Sequence, residues 1–452
     1  MKETITKKHM FTGKDLWKLL VPLVIEQLLT QLMGTFDTIM VSNVGSAAIS
    51  AVSLVDSINV LLVQALSALA TGGTIVCSQY IGSKNREGAI SAAKQLVLIM
   101  FILPTFVMLI FLWLRAPILR VIFGSIEADV MEAALIYFLI TVLSYPFLGI
   151  FDASASIFRA QENSRLPMIV SVISNVVNVA GNALLIYGFS MGVKGAALAT
   201  LASRIFSAGV MVYFLRNPQN LIYVRNFLKI RPDKKVIKKI LTIGIPCGIE
   251  NSLFQVGKLA IQSTVSLMGT TAMAAQAMTI ILEGLTGTAA SGVGLGMMTV
   301  VGECIGAGKK KEAAYYIKKL SIIAEVLIII VSLVTFALTK QITSLAGMEE
   351  EAAQMCFDMM LVITVVKPIV WVFSFLPAYG MRAAGDVKFA MVVSVISMWG
   401  FRVGTCVYLA RVLGFGPMAV WIGMFADWTV RGIIYTCRYL SGKWYHKSLA
   451  ED

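Results

Sequence analysis

The chain has 452 residues, of which 58% are hydrophobic and 14% are charged. Soluble globular proteins contain about 45–50% apolar and about 25% charged residues, so the composition excludes a water-soluble fold. The formal net charge is +13. Because the basic residues fall in short segments between apolar runs, they are typical of residues that set membrane topology, and no nucleic-acid partner is expected.

Twelve apolar stretches follow one another along the chain, and a membrane-spanning helix needs about 20 such residues. Helices are expected because runs this apolar lack the weak alternating pattern of a membrane barrel. The predicted spans cover residues 16–40, 49–80, 91–114, 132–158, 167–187, 195–215, 238–268, 275–305, 316–339, 352–380, 387–410 and 418–440. The first run is expected to remain as a span, because no small-residue cleavage site follows it. The fold class predicted is all-α integral membrane, with 12 transmembrane helices.

Basic residues are distributed unequally between the two sides of the predicted membrane. When the loops are assigned to alternate sides, 28 Lys and Arg residues lie on the side of the N-terminus and 5 on the other. The positive-inside rule then places both termini in the cytoplasm. We therefore expect a multi-pass protein of the cell inner or plasma membrane, surrounded by membrane lipids.

The second half of the chain repeats the first at an offset of 224 residues. Pro22 aligns with Pro246 and Glu26 with Glu250, and the register continues without a gap to residue 96. A period of six spans gives both copies the same orientation in the membrane. The sequence therefore predicts two pseudo-symmetric six-helix bundles, related by an axis along the membrane normal.

The repeat also divides the chain into domains. We predict an N-terminal lobe at residues 1–215, a basic cytoplasmic linker at residues 216–239 and a C-terminal lobe at residues 240–452. Duplicated membrane bundles of this kind are typical of transporters that expose one site to each side of the membrane in turn.

Several ionisable residues fall deep within the predicted spans, where a charge costs at least about 2.5–3.5 kcal/mol and usually faces a cavity or a partner. They are Glu26, Asp37, Asp56, Asp152 and Arg204 in the first lobe, and Glu250, Lys258, Glu283, Lys367, Arg402, Asp427 and Arg431 in the second. Asp427 and Arg431 are four residues apart, a spacing that predicts a structural salt bridge on one helix. Glu26 and Glu250 each follow a proline by four residues, so an interfacial position and a cavity position both stay open.

Residues that commonly perform catalysis are scarce. The two histidines, His9 and His446, lie in polar terminal segments, and the six cysteines include no C-x-x-C pair. Without metal-ligand spacing or a nucleophile beside a base, we expect no enzyme, no metal site and no cofactor. The cysteines are expected to be reduced and buried.

Residues 34–45 (GTFDTIMVSNVG) resemble the first-helix signature of the MATE (multidrug and toxic compound extrusion) family, whose usual form is G-x-x-D-T-x-M/F-V/A-G-x-x-G. Further matches lie at residues 79–82 (QYIG), 158–163 (FRAQEN), 192–200 (GVKGAALAT) and 303–308 (ECIGAG). The resemblance extends over essentially the whole chain. It implies a secondary active efflux transporter, an antiporter that exports small organic compounds, drugs among them, coupled to H⁺ or Na⁺ influx. We expect it to act as a monomer.

The same resemblance suggests site residues. Asp37 matches the functional aspartate of the first helix. DinF-like members carry N-x-x-x-D in the fifth helix, whereas this chain has Asn178 followed by Asn182, as NorM-like members do. The seventh-helix glutamate of NorM-like members falls on Phe254. We therefore hypothesise that Asp37, Asn178 and Asn182 form a coupling-ion site. The remaining candidates for the coupling-ion and substrate cavity are Glu26, Glu250, Glu283, Lys258 and Arg402.

Two questions stay open from the sequence. The second-lobe cations Lys258, Lys367, Arg402 and Arg431 are either neutralised by Glu250, Glu283, Asp358 and Asp427, or the cargo includes anionic or zwitterionic groups. The function has a runner-up, a lipid-linked precursor flippase of the same superfamily. A channel or a non-transporting scaffold is a further alternative, which a saturable, ionophore-sensitive flux would exclude.

Overall fold

The computed structural model describes residues 9–42, 45–124, 127–445 and 449; the side chains of residues 32–39, 41, 42, 46 and 228 lie outside the described part. The helices are α1 (Gly13–Ser42), α2 (Ser46–Gly82), α3 (Arg86–Phe123), α4 (Ala128–Leu143), α5 (Tyr145–Ala160), α6 (Arg165–Asn182), α7 (Gly192–Leu215), α8 (Lys234–Val265), α9 (Thr270–Gly306), α10 (Lys310–Leu345), α11 (Glu350–Ala383), α12 (Val387–Ile396), α13 (Gly404–Arg411) and α14 (Met418–Leu440). Two π-helical turns, Ala183–Gly188 and Ser397–Val403, continue α6 and join α12 to α13.

These helices form twelve spans at the predicted positions, because α4 with α5 and α12 with α13 each make up one span. By length and composition, eight helical segments of the described residues are apolar enough to cross a membrane, and the bent pair α4–α5 is a ninth. The three others are α1, α8 and α14, of which α8 and α14 carry ionisable residues in mid-helix. The all-α integral membrane fold class is confirmed.

A proline accounts for the bend of 41° between α4 and α5. Pro146 is the second residue of α5, so it has no N–H for the carbonyl oxygen of Val142, and its ring displaces that carbonyl. Ser144, between the two helices, instead donates its main-chain N–H to the carbonyl oxygen of Thr141 over 3.1 Å. The sequence predicts one helix over residues 132–158, and the structure divides it at Ser144.

Close contacts divide the chain into two compact units. Unit 1 consists of Met1–Leu28 and Ile249–Asp452, and unit 2 of Leu29–Gly248. Unit 1 therefore holds the first half of α1 together with most of α8 and all of α9–α14. Unit 2 holds the second half of α1, the helices α2–α7 and the start of α8. The lobe boundaries at residues 215 and 240, which follow the sequence repeat, stay a prediction.

The basic linker is anchored to unit 2. Arg86, at the start of α3, donates to the carbonyl oxygen of Leu221 over 2.9 Å. The side chain of Gln95 donates to the carbonyl oxygen of Arg231 (2.9 Å) and accepts from the main-chain N–H of Asp233 (3.1 Å). The helix α8 begins at residue 234, within the segment 216–239 that the sequence predicts as the linker.

Unit 1 is built around α9. In the most apolar stretch of this helix, 89% of the residues are buried. Its glycines permit close approach by neighbouring helices. A Cβ atom at Gly292 would lie 2.8 Å from the Cα atom of Val24 in α1, and one at Gly294 would lie 2.6 Å from the ring of Tyr379 in α11. The small residues of this stretch therefore serve helix packing, and they hold α9 where its polar side chains meet those of α11.

The expectation that the cysteines are buried holds for all but one of them. All six are free thiols, and five of them are buried as expected. Cys437, near the end of α14, is exposed. It lies in the last turn of the helix, where the chain leaves the apolar interior of unit 1.

Candidate functional site

Four basic side chains and two carboxylates lie together inside unit 1, and we call this group the basic cluster. Its members are Lys258 of α8, Glu283 of α9, Lys367 of α11, Arg402 of the π-helical turn, and Asp427 and Arg431 of α14. Four different helices and one irregular turn thus contribute one or two residues each. The cluster is a product of tertiary packing, because its members are spread over 174 residues of sequence, from 258 to 431.

Lys367 is fully buried and is saturated with partners. Its ammonium group forms an ion pair with the carboxylate of Glu283 and donates to the hydroxyl of Thr286. It also donates to the main-chain carbonyl oxygen of Glu283 over 3.1 Å. An ammonium group has three N–H donors, so these partners leave none of them for a ligand.

Asp427 is the shared counter-ion of two arginines. Its carboxylate accepts two hydrogen bonds from Arg431, at 2.8 and 3.0 Å, and one from the hydroxyl of Ser397, at 2.5 Å. The guanidinium of Arg402 lies farther away, with its Nη1 atom 3.9 Å from the second carboxylate oxygen. The salt bridge predicted between Asp427 and Arg431 is confirmed.

Three cations of the cluster surround one phenyl ring. The centroid of the Phe254 ring lies 5.1 Å from Cζ of Arg402, 5.4 Å from Nζ of Lys258 and 5.7 Å from Cζ of Arg431. Ring faces attract cations within about 6 Å. Phe254 stands at the position where the family resemblance suggests a glutamate, so an aromatic ring lies where a carboxylate would otherwise neutralise these charges.

The charges of the cluster do not balance. Glu283 is paired with Lys367, and Asp427 is paired with Arg431 and shared with Arg402. The other carboxylates considered from the sequence are engaged elsewhere: Glu250 is paired with a different arginine, and Asp358 accepts from Gln354 at an exposed position. The cluster therefore holds four basic side chains against two carboxylates.

The two proline-associated glutamates lie outside this cluster. Glu250 accepts a hydrogen bond of 2.6 Å from Arg382 of α11, and the guanidinium of Arg382 lies 5.5 Å from the ring of Tyr379. Glu26 is buried, with 4% of its surface exposed. Glu250 is buried as well, and a cavity role for the two glutamates stays a prediction.

The predicted coupling-ion residues belong to unit 2. Asn182 donates to the amide oxygen of Asn178 over 3.3 Å, and Asn178 donates to the hydroxyl of Thr200 in α7 over 3.3 Å. Asp37 lies in the unit 2 part of α1, and its side chain is outside the described residues. Three residues further along α1, the carbonyl oxygen of Met40 accepts a hydrogen bond of 3.1 Å from the hydroxyl of Tyr187. This bond joins the end of the fifth span to α1 close to Asp37.

Unit 2 has a second polar network, at the bend of the fourth span. Asp56 accepts hydrogen bonds from Asn59 (3.0 Å) and from the hydroxyl of Tyr137 (3.3 Å). The hydroxyl of Tyr145 donates to Asn59 over 2.7 Å. One residue before Tyr145, the hydroxyl of Ser144 accepts a hydrogen bond of 2.6 Å from the guanidinium of Arg204 in α7.

The two units therefore differ at equivalent positions of the repeat. Asn59 is the counterpart of Glu283 at the offset of 224, and Ser144 is the counterpart of Lys367 at the offset of 223 that also relates Arg159 to Arg382. Neutral polar side chains in unit 2 thus correspond to an ion pair in unit 1. The candidate set from the sequence left out Lys367, Asp427 and Arg431, although each carried a signal as an ionisable residue in an apolar span.

Comparison with known proteins finds the same sequence repeat in the chain. The family model MatE matches it twice, at residues 22–184 and 246–408, and the two segments begin 224 residues apart. The chain is 26% identical to the probable multidrug resistance protein NorM of Thermotoga maritima, over 95% of this chain and 93% of that protein. Among solved structures, a MATE protein in complex with MaL6 superposes with a TM-score of 0.87 at 18% identity, covering 95% of this chain and 97% of that one.

A second solved structure has a related architecture. It is a transporter of the MOP superfamily from Pyrococcus furiosus, whose reported feature is a binding pocket of reversed polarity that suggests a different function. It superposes with a TM-score of 0.84 at 19% identity, covering 95% of each chain. At these identities the likeness of both structures establishes the fold.

Proposed function

The chain belongs to the MatE family and is a multi-pass membrane transporter, and from this premise we propose that it exports small organic compounds, drugs among them, in exchange for inward H⁺ or Na⁺. The observation that carries the proposal is the double match of the family model, which covers both copies of the repeat. The name of the Thermotoga maritima relative, a probable multidrug resistance protein, supports drug export over the flippase alternative.

Ionisable groups within the membrane-spanning helices support active transport. A permeation path for neutral solutes needs no charge in its walls, and each buried charge is costly in a membrane. Unit 1 nevertheless keeps six charged side chains in the basic cluster, and unit 2 keeps Asp56 and Arg204 within hydrogen-bonded networks. Groups of this kind are useful to a transporter because ion or substrate binding changes their charge balance and thereby favours one conformation.

Coupling is assigned in this proposal to Asp37 together with Asn178 and Asn182. A carboxylate within a span is less costly once a proton or Na⁺ neutralises it, so occupancy of Asp37 changes the relative free energy of two conformations. The hydrogen bond from Tyr187 to Met40 supports this assignment, because it joins the fifth span to α1 one turn beyond Asp37. The two asparagines supply neutral amide groups in the same span as Tyr187, on the helix that precedes it.

The test is transport in proteoliposomes with an imposed pH or Na⁺ gradient and a panel of fluorescent dyes and drugs. We expect saturable flux that one of the two gradients drives and that the matching ionophore abolishes. Asp37→Asn removes the titratable group and is expected to abolish the response to the gradient. Asp15→Asn is the matched control, because Asp15 lies in the first turn of the same helix, where Thr12 donates to it over 2.9 and 2.6 Å.

Each part of the proposal has its own contradicting result. Flux that is insensitive to both ionophores would contradict antiport, and full gradient response in Asp37→Asn would contradict the coupling site.

The proposal also places both termini in the cytoplasm and the protein in the plasma membrane, where it acts as a monomer. The inequality of 28 against 5 basic residues supports that orientation.

A further inference from the structure

Two cations of the basic cluster have no counter-ion of their own among the side chains that the structure describes. Arg402 exposes 6% of its surface, yet its guanidinium donates no hydrogen bond to any described residue. Its nearest carboxylate oxygen, on Asp427, is 3.9 Å away and is beyond hydrogen-bonding distance. Lys258 lacks an ion pair with any carboxylate that the structure describes, and it interacts instead with the Phe254 ring.

An arginine that is buried without hydrogen bonds is unusual, because leaving a buried donor unpaired costs the full desolvation of that group. The cost is greater here, since the neighbouring cations repel each other and lie in membrane-spanning helices. A carboxylate in place of Phe254 would lower the excess of basic side chains over carboxylates from two to one at a single position. The sequence instead keeps a ring there, and the basic side chains of the cluster stay in excess over its carboxylates.

We propose that the basic cluster binds the anionic group, a carboxylate or a phosphate, of an organic solute that the protein transports. The proposal rests on the proposed function, and it specifies the substrate class of that transporter. Lys258 and Arg402 donate to the anionic group, and the half-buried ring of Phe254 contacts the apolar part of the solute next to it. Arginine suits this role because its planar guanidinium presents a fork of donors that matches both anions.

The remaining cations have a different part in this arrangement. The donors of Lys367 are used by Glu283 and Thr286. Arg431 already donates twice to Asp427. Both therefore hold their own carboxylates in place, and Arg402 has only a share of the Asp427 carboxylate, 3.9 Å away. Lys258 is also the exposed member of the four, so a solute reaches its ammonium group without displacing a protein partner.

Binding is tested with the full-length protein in nanodiscs of phosphatidylcholine, without any gradient, by calorimetric titration. The probes are phenyl phosphate and phenyltrimethylammonium, which share a phenyl ring and carry opposite charges. We expect saturable binding of phenyl phosphate and weaker binding of the cation. Lys258→Met and Arg402→Gln are each expected to weaken phenyl phosphate binding at least about tenfold, as the loss of a charge-assisted hydrogen bond does.

The matched control is Lys340→Met, because Lys340 also lies over a phenyl ring of unit 1, at 4.6 Å from the ring of Phe357, but outside the cluster. It is expected to bind phenyl phosphate as the parent does. Lys258→Met is expected to keep or raise the melting temperature, since it removes an unpaired charge. Loss of binding without loss of stability separates a ligand contact from a structural role.

A second variant, Phe254→Glu, tests the same idea without removing any cation. The new carboxylate is expected to pair with the three cations around it, to abolish phenyl phosphate binding and to leave the protein folded. The proposal is overturned if phenyltrimethylammonium binds the parent more tightly than phenyl phosphate does. It is also overturned if both Lys258→Met and Phe254→Glu retain the parent affinity for phenyl phosphate.

A second lipid composition identifies the source of the anion. If phosphatidylglycerol in the nanodiscs competes with phenyl phosphate in the parent, the anionic group belongs to a lipid headgroup; if it does not, the anion is a solute. Both outcomes support an anion site, and the solute is the source that we propose. The assay needs no gradient, so anion binding without gradient-driven flux would refute the proposed antiport alone, and gradient-driven flux without anion binding would refute this inference alone.

Discussion

Lys367 of α11 donates to the main-chain carbonyl oxygen of Glu283 in α9, 3.1 Å away, and forms an ion pair with the carboxylate of the same residue. One lysine thus binds both the backbone and the side chain of its partner. The ammonium group is fully buried, and it lies 5.6 Å from the Trp371 ring. This contact joins two central helices of unit 1. It also neutralises the charges of Lys367 and Glu283 against each other, so neither carboxylate nor ammonium is left over for the rest of the cluster.

We expect Glu283→Gln to lower stability strongly, because it leaves Lys367 buried without a counter-ion. Breaking a buried pair costs about 3–5 kcal/mol, whereas replacing both partners by apolar groups is often neutral. The double variant Glu283→Met/Lys367→Met is therefore expected to recover most of the loss. Thermal unfolding in detergent measures both, and equal destabilisation of the single and the double variant would contradict the ion pair.

Substitution of Asp427 and substitution of Arg402 are expected to change the stability of the protein by different amounts. Asp427→Asn removes the only carboxylate among the described residues within 4.0 Å of either guanidinium, and the expected loss is about 3–5 kcal/mol. Arg402→Gln removes a guanidinium that makes no hydrogen bond, so its melting temperature is expected to stay the same or rise. Melting curves of the two variants side by side check this. A large loss in Arg402→Gln would mean that Arg402 has a structural partner.

Gly423 permits the close approach of α14 to the π-helical turn that carries Arg402. A Cβ atom at this position would lie 2.6 Å from the carbonyl oxygen of Arg402. Gly423→Ala is therefore expected to lower the free energy of unfolding by about 1–3 kcal/mol, as overpacking does, and to weaken phenyl phosphate binding by shifting Arg402.

The matched control for that change is Gly209→Ala in α7, where a Cβ atom would meet nothing within 4 Å. Alanine is the better helix former by roughly 0.5–1 kcal/mol, so this variant is expected to be slightly more stable than the parent. Chemical or thermal unfolding measures both substitutions, and similar effects at the two positions would contradict the role assigned to Gly423.

The orientation of the chain is tested with cysteines at opposite ends of the spans. Leu345 ends α10 and is 89% exposed, and Ser441 follows α14 and is exposed. In a Cys437→Ser background, Ser441→Cys is expected to react with a membrane-impermeant maleimide from the cytoplasmic side only. Leu345→Cys is expected to react from the external side only. The background protein is the control, because its five remaining cysteines are buried, and the reverse pattern would contradict the orientation.

Much of the fold followed from local signals. The lengths and order of the apolar runs predicted twelve spans, and the helices begin and end near the expected residues. The spacing of Asp427 and Arg431 predicted their salt bridge, because residues four apart on a helix face each other whatever surrounds them. The division of the fourth span at Ser144 was missed, although Pro146 carried the signal for a bend.

The candidate site was predictable only in part. Ionisable residues in apolar spans marked Lys258, Glu283 and Arg402 as candidates, and all three lie in the basic cluster. The sequence did not indicate that Phe254 lies among three cations, because a phenylalanine in an apolar helix gives no signal of its own. The π-helical turn that carries Arg402 was not predicted either. The role of Asp37, Asn178 and Asn182 in coupling stays a prediction.

The sequence by itself determined that this chain crosses the membrane twelve times in two parallel copies, because the bilayer imposes its thickness on every apolar run and the duplication preserved their order. It also supplied an excess of basic side chains in the second copy. Only the tertiary structure decided which charges neutralise each other, because ion pairing depends on distances of a few ångströms between helices that are far apart in sequence. Those distances pair Lys367 and Arg431 with carboxylates, and they leave Lys258 and Arg402 around Phe254 without a counter-ion of their own in the described part of the chain.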